Sequence, residues 1–146
     1  MNTIDVKFTC DESELSKNIF YLTFDLAIDG CSPLKNNDDS FDIHDFIMST
    51  RKDGTYFIWT CSCGDAECAG YVNGIEVRIG MDVTLWVDHD LEKTYIFDTH
   101  DLQAKAFMLE NEISKWDQHA KSNGAELCIW PSWSMKYLLP ALGIGL

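Results

Sequence analysis

Three cysteines at C-x-C-x4-C spacing, Cys61, Cys63 and Cys68, are the residues of this 146-residue chain best suited to chemistry. Thiolates so close in sequence can converge on one metal ion, because a turn through Gly64 carries the third sulfur back toward the first two. A closed structural zinc site takes four ligands, so a fourth must come from a distance. Cys10, Cys31, Cys128, His44, His89, His100 and His119 are the thiols and imidazoles on offer, and spacing selects none of them. With three ligands and a water the same loop would make a catalytic zinc, but no motif marks the acid–base partner that such a site needs. The competing reading is a set of reduced thiols in a cytosolic protein. A disulfide between Cys61 and Cys63 is disfavoured by the geometry of so short a loop.

Carboxylates form the second set. There are 24 acidic against 11 basic residues, a net charge of -13. Residues 1–100 hold 19 of the acids and seven of the bases, whereas 101–146 hold five and four. Two clusters stand out: Asp38, Asp39, Asp42 and Asp45, then Asp88, Asp90 and Glu92. A field of this sign repels nucleic acid and anionic lipid and speeds encounter with a basic protein. Plain solubility would use the same charge, and His44 beside the first cluster reads as a surface histidine. No Ser-His-Asp order, phosphate-cradling loop or paired-carboxylate signature appears in the chain.

These residues need elements to position them. Ile4 to Phe8 alternates apolar with polar, as a half-buried strand does. The stretch Asn18 to Gly30 is long and β-prone with Phe20, Leu22, Phe24, Leu26 and Ile28 apolar at alternate positions, which predicts a strand with that face inward. A short helix is expected over about 41–50, capped by Ser40 or Asp39, with Ile43, Phe46 and Ile47 on the core and the four carboxylates on the other face. Asp53-Gly54 reads as a hairpin pair, and Thr55 to Trp59 as a strand. Beyond the cysteine loop, Ile75 to Ile79, Val83 to Val87 and Thr94 to Phe97 form three successive β runs, a meander. Leu102, Ala106, Leu109, Ile113, Trp116 and Ala120 recur in steps of four and three, which predicts a helix over about 101–121. Its stripe serves the core or joins two copies of the chain. The apolar tail, residues 127–146, must be covered by the protein's own core or by a partner.

One α+β domain over 1–146 follows, an antiparallel meander packed on the long helix with the short helix beside it. No secretory leader opens the sequence and no run reaches the ~20 apolar residues of a membrane span, so a cytoplasmic protein is expected.

Two resemblances sharpen this. The run Cys61-Ser62-Cys63-Gly64 through Cys68-Ala69-Gly70-Tyr71 resembles the post-SET zinc segment of histone lysine methyltransferases, C-x-C-G-x3-C-x-G-Y, where a fourth cysteine completes a zinc site. The likeness covers about a dozen residues; the Asn-His-Ser-Cys stretch and the methyl-donor loop of those enzymes are missing. Over about residues 55–115, with Gly74-Ile75-Glu76-Val77, Val83-Thr84-Leu85-Trp86 and Tyr95-Ile96-Phe97 following the cysteines, the chain resembles small uncharacterised bacterial proteins of C-x-C-G-x3-C-x-G pattern, which implies an α+β domain and no activity; in size, charge and lack of a catalytic motif it resembles small acidic bacterial immunity proteins of contact-dependent inhibition and related toxin systems. That likeness implies a non-enzymatic protein that binds and neutralises a basic toxin domain, a nuclease foremost, through Asp38, Asp39, Asp42, Asp45, Asp88, Asp90 and Glu92. It requires no cofactor, engages neither nucleic acid nor membrane, and leaves room for a homodimer. The alternative is a small zinc-knuckle regulator or an enzyme built on Cys61, Cys63 and Cys68, with structural zinc as its cofactor.

Overall fold

Period-two alternation builds the first half of the molecule. In the computed structural model, which describes residues 1–11, 18–36, 38–61 and 66–130, β1 (Ile4–Asp11) pairs antiparallel with β2 (Ile19–Ile28). All five even positions of β2 from Phe20 to Ile28 are buried, as the alternation requires. A two-residue strand, β3 (Ser40–Phe41), leads into α1 (Ile43–Ser49), whose Ile43, Phe46 and Ile47 are buried. Then come β4 (Gly54–Tyr56) and β5 (Trp59–Thr60), a 3-10 turn at Glu67–Ala69, and the meander β6 (Ile75–Ile79), β7 (Val83–Asp88) and β8 (Lys93–Asp98). The long helix α2 spans Thr99–Ser122, and β9 (Glu126–Trp130) follows.

Three sheets result, ordered β1-β2-β9, β3-β5 and β4-β6-β7-β8. The first and last are stitched together at Asn2, whose backbone N–H donates to the Ile96 carbonyl at 2.7 Å while its side-chain Oδ1 accepts from Ile96 N at 2.8 Å. Against them lies α2, started by Asp98, whose Oδ1 accepts from Asp101 N at 2.9 Å. Thr99 ties the same helix end to the β6–β7 turn, donating from Oγ1 to Gly80 O and from N to Asp82 O. Leu102, Ala106, Leu109, Ile113 and Ala120 are buried beneath it, so the stripe serves the core. The centre is a chain of edge-to-face aromatics, Phe41 on Trp59, Trp59 on Trp86, and Trp86 on both Phe46 and Phe97.

Three details depart from the sequence reading. Thr55 to Trp59 is not one strand: it breaks at Phe57, whose backbone N–H turns aside to donate to Asp45 Oδ2 at 2.7 Å. Asp53-Gly54 closes no hairpin; Asp53 instead accepts from Ile79 N at 2.8 Å and aligns β4 with β6. Residues 126–130 of the apolar C-terminal stretch form β9, parallel to β2, while residues 131–146 lie outside the described residues.

Candidate functional site

Five residues, Gly70 to Gly74, draw the two acidic clusters to one end of the molecule. The 3-10 turn before them closes on Gly70 at φ 88°, and Tyr71 N donates back to Ala66 O at 3.0 Å. The Tyr71 ring is buried, and its hydroxyl donates to Asp39 Oδ2 at 2.7 Å while accepting from Lys35 N at 2.9 Å. Burial, and then the bond given to Asp39, push the phenol well above its ordinary pKa. On the other side Asp90 receives the next three amides: Val72 N at 3.1 Å, Asn73 N at 3.0 Å and Gly74 N at 2.9 Å. Gly74 makes this turn at φ 75°, where a Cβ would stand 3.0 Å from both Thr55 Cγ2 and Tyr56 O.

Asp88 supports this arrangement from within. It is 1% exposed; its Oδ2 accepts from the Trp59 indole at 2.7 Å, and its Oδ1 accepts from Asp90 N and Leu91 N, both at 3.1 Å. Asp88 therefore leaves the expected contact surface: its two oxygens hold the loop that carries Asp90. Val72 sits between the two carboxylate anchors with 58% of its surface exposed, and Asp38, Glu67 and Glu92 are exposed on the segments around it. The site is an exposed apolar side chain whose backbone is held by Asp90, next to a Tyr71 side chain anchored on Asp39.

The remaining carboxylates of the first cluster do not share a helix face. Since α1 begins at Ile43, Asp38 and Asp39 precede it, and Asp42, in place of Ser40 or Asp39, caps it by accepting from Asp45 N at 3.0 Å. Burial raises the Asp42 pKa, against the lowering effect of that bond. Asp42, His44 and Asp45 present ligand atoms within 4.8 Å of one another, a spacing that a cation could bridge. Both carboxylates are already committed to backbone, Asp42 at the helix cap and Asp45 at Phe57 N. Lys35, Tyr71 and Val72 belong to the acidic end without having been expected there. Their signal was the Asn73-Gly74 turn with an aromatic residue two positions before it, which needs a long-range partner to become visible.

Of the three cysteines, Cys63 lies outside the described residues. Cys61 is half-buried just after β5, Cys68 is exposed in the 3-10 turn, and that turn packs against β5. The chain thus returns toward Cys61 as it reaches Cys68, the fold-back a shared metal would need.

Comparison with protein-family models, with curated proteins and with solved structures gives no match to this chain. Among the described residues, no helix is long and apolar enough to cross a membrane.

Proposed function

We propose that this chain is a cytoplasmic immunity-type binding protein that neutralises a basic toxin domain by occlusion, without turnover of its own. The observation that carries the reading is the joining of two acidic clusters around exposed Val72 by the Asp39–Tyr71 and Asp90 hydrogen bonds. Anchored backbone reduces the ordering cost of binding, carboxylates steer a cationic partner, and a central apolar side chain supplies contact once water leaves. A nuclease domain suits this surface because its nucleic-acid groove is itself basic.

Co-expression with any basic toxin domain found encoded beside its gene tests the proposal. The chain should restore growth, and the toxin should associate faster at low salt than at high. Reversing Asp38 and Glu92, both exposed, to lysine should slow association about tenfold and flatten the salt dependence. Undiminished association in that variant would remove this end as the contact surface.

A second reading follows from the packing of the Cys68 turn against β5: a zinc knuckle in which Cys61, Cys63 and Cys68 supply three thiolates. Protein purified without chelator should then carry one zinc per chain, lost in Cys63→Ser; metal-free protein with unaltered folding would dismiss it.

A further inference from the structure

Asparagine followed by glycine occurs twice in this chain, at Asn73-Gly74 and at Asn123-Gly124. The pair is chemically unstable: glycine has no Cβ to shield its amide, so the backbone nitrogen can attack the carbonyl carbon of the asparagine side chain. Both glycines sit at positive φ, 75° and 68°, but in different surroundings. Asn123 and Gly124 are exposed past the end of α2, where Asn123 Nδ2 donates to His119 O at 2.8 Å and Gly124 N to Lys121 O at 3.0 Å. A last helical turn frays, so these bonds open readily.

At Asn73-Gly74 a single carboxylate occupies both reacting groups. The nitrogen that would attack, Gly74 N, donates to Asp90 Oδ2 at 2.9 Å, and the nitrogen that would leave, Asn73 Nδ2, donates to Asp90 Oδ1 at 3.1 Å. A negative acceptor makes the Gly74 amide keep the proton it must lose to become a nucleophile. Gly74 is also buried, so tightly that a Cβ there would stand 3.0 Å from Thr55 and Tyr56 atoms. A ring closes at this place only if the turn first leaves Asp90.

We infer that Asn73 is a self-modification site guarded by Asp90, whose conversion opens the acidic end irreversibly. Once the turn is free, Gly74 N gives its proton to water and bonds to Asn73 Cγ; the Cγ–Nδ2 bond breaks and ammonia departs, leaving a cyclic imide. Water adds to either imide carbonyl and gives a carboxylate at position 73, as aspartate or isoaspartate, with one water consumed and one ammonia released. Asp90 then faces an anion where it held a donor, and their repulsion keeps the turn from closing again. The chemistry stands apart from the binding role proposed for this end; only its consequence for partner capture rests on that role.

Peptide mapping by mass spectrometry, on full chain incubated folded at mildly alkaline pH, tests the inference. In the unaltered chain Asn123 should convert ahead of Asn73. Asp90→Ala should speed conversion of Asn73 about tenfold while Asn123, an internal clock in the same molecule, keeps its rate. Asn73→Asp, which installs one product, should accelerate hydrogen exchange at Val72 and Gly74 and leave the β6–β8 amides protected. Asn73 converting ahead of Asn123 in the unaltered chain, conversion of Asn73 at one rate with and without Asp90, acceleration of both asparagines together, or unchanged exchange in Asn73→Asp would each overturn the proposal. No arm uses a partner protein, so failure here and failure of the binding role are told apart.

Discussion

The acidic end and the α2 face use the same residue type in opposite ways. Around Gly70 to Gly74, carboxylates accept from uncharged donors: Asp39 from a phenol, Asp90 from three amides, Asp88 from an indole and two amides. Among the described residues no ion pair engages Asp39 or Asp90, so their charge still contributes to the field. Along α2 the acids Glu110, Glu112 and Asp117 each meet Arg or Lys, and their charge is cancelled locally. One region keeps its negative potential while becoming rigid; the other is neutralised by its own bases. A count of acids per segment would miss the distinction, because it depends on what each carboxylate touches.

The largest break in that comparison should come from Asp88→Ala. It would leave the Trp59 indole and two backbone amides without their acceptor, and Trp59 is itself buried. A loss of about 3 kcal/mol in denaturant unfolding is expected, with Asp88→Asn intermediate because the amide oxygen can still accept. Removing Asp90 acts one layer further out. Asp90→Ala should cost about 1–2 kcal/mol and, more diagnostically, should accelerate hydrogen exchange at Val72, Asn73 and Gly74 while leaving the β6–β8 amides protected.

That burial of Asp88 also marks where the sequence stopped being readable. Counting apolar residues in β7 turns Val83, Leu85 and Val87 inward, yet the buried set is Thr84, Trp86 and Asp88. The polar members are tolerated because Thr84 Oγ1 meets Thr99 Oγ1 at 2.9 Å and Asp88 meets Trp59, partners that lie far off in sequence. By contrast β2 and α2 were legible because each repeats one period for several residues against a buried face. Strand β9 escaped for the same physical reason as Asp88. Its partner β2 begins more than a hundred residues earlier, and Leu127 to Trp130 is a continuous apolar run whose lack of alternation does not separate strand from other buried chain. The two acidic clusters could be read as clusters; that Tyr71 and Asp90 bring them together could not, since neither has a local reason to point there.

Alkaline pH should expose the Tyr71 anchor with a smaller effect. In the unfolded chain a phenol titrates near 10. Folded, Tyr71 holds its proton well above that, through burial and its bond to Asp39. The folded state then keeps a proton that the unfolded state releases, so this contribution is fully present below about pH 10 and falls as pH rises beyond it. Burial shifts Tyr56 and Tyr95 the same way. Tyr71→Phe should therefore flatten the alkaline fall in unfolding midpoint without abolishing it, and a slope equal to that of the unaltered chain would mean the phenol is not held in this way.

The smallest effect on stability, and the sharpest on the comparison, is expected for Arg51→Gln. The Arg51–Glu110 pair bridges the end of α1 to α2, but Arg51 is 37% exposed in its side chain, so solvent screens the pair and its loss should cost only about 0.5 kcal/mol. What changes is the local charge. Glu110 would keep its charge and lose its base beside the groove between the end of α1 and α2, turning a neutral patch acidic in a chain already at -13. The small cost should shrink further as salt is added, with the unfolding midpoint scarcely moved. If packing of the Arg51 stem alone set the α1–α2 contact, Arg51→Gln would cost the same at every ionic strength; the salt dependence of this one variant thus separates neutralised charge from apolar contact as the reason α2 differs from the acidic end.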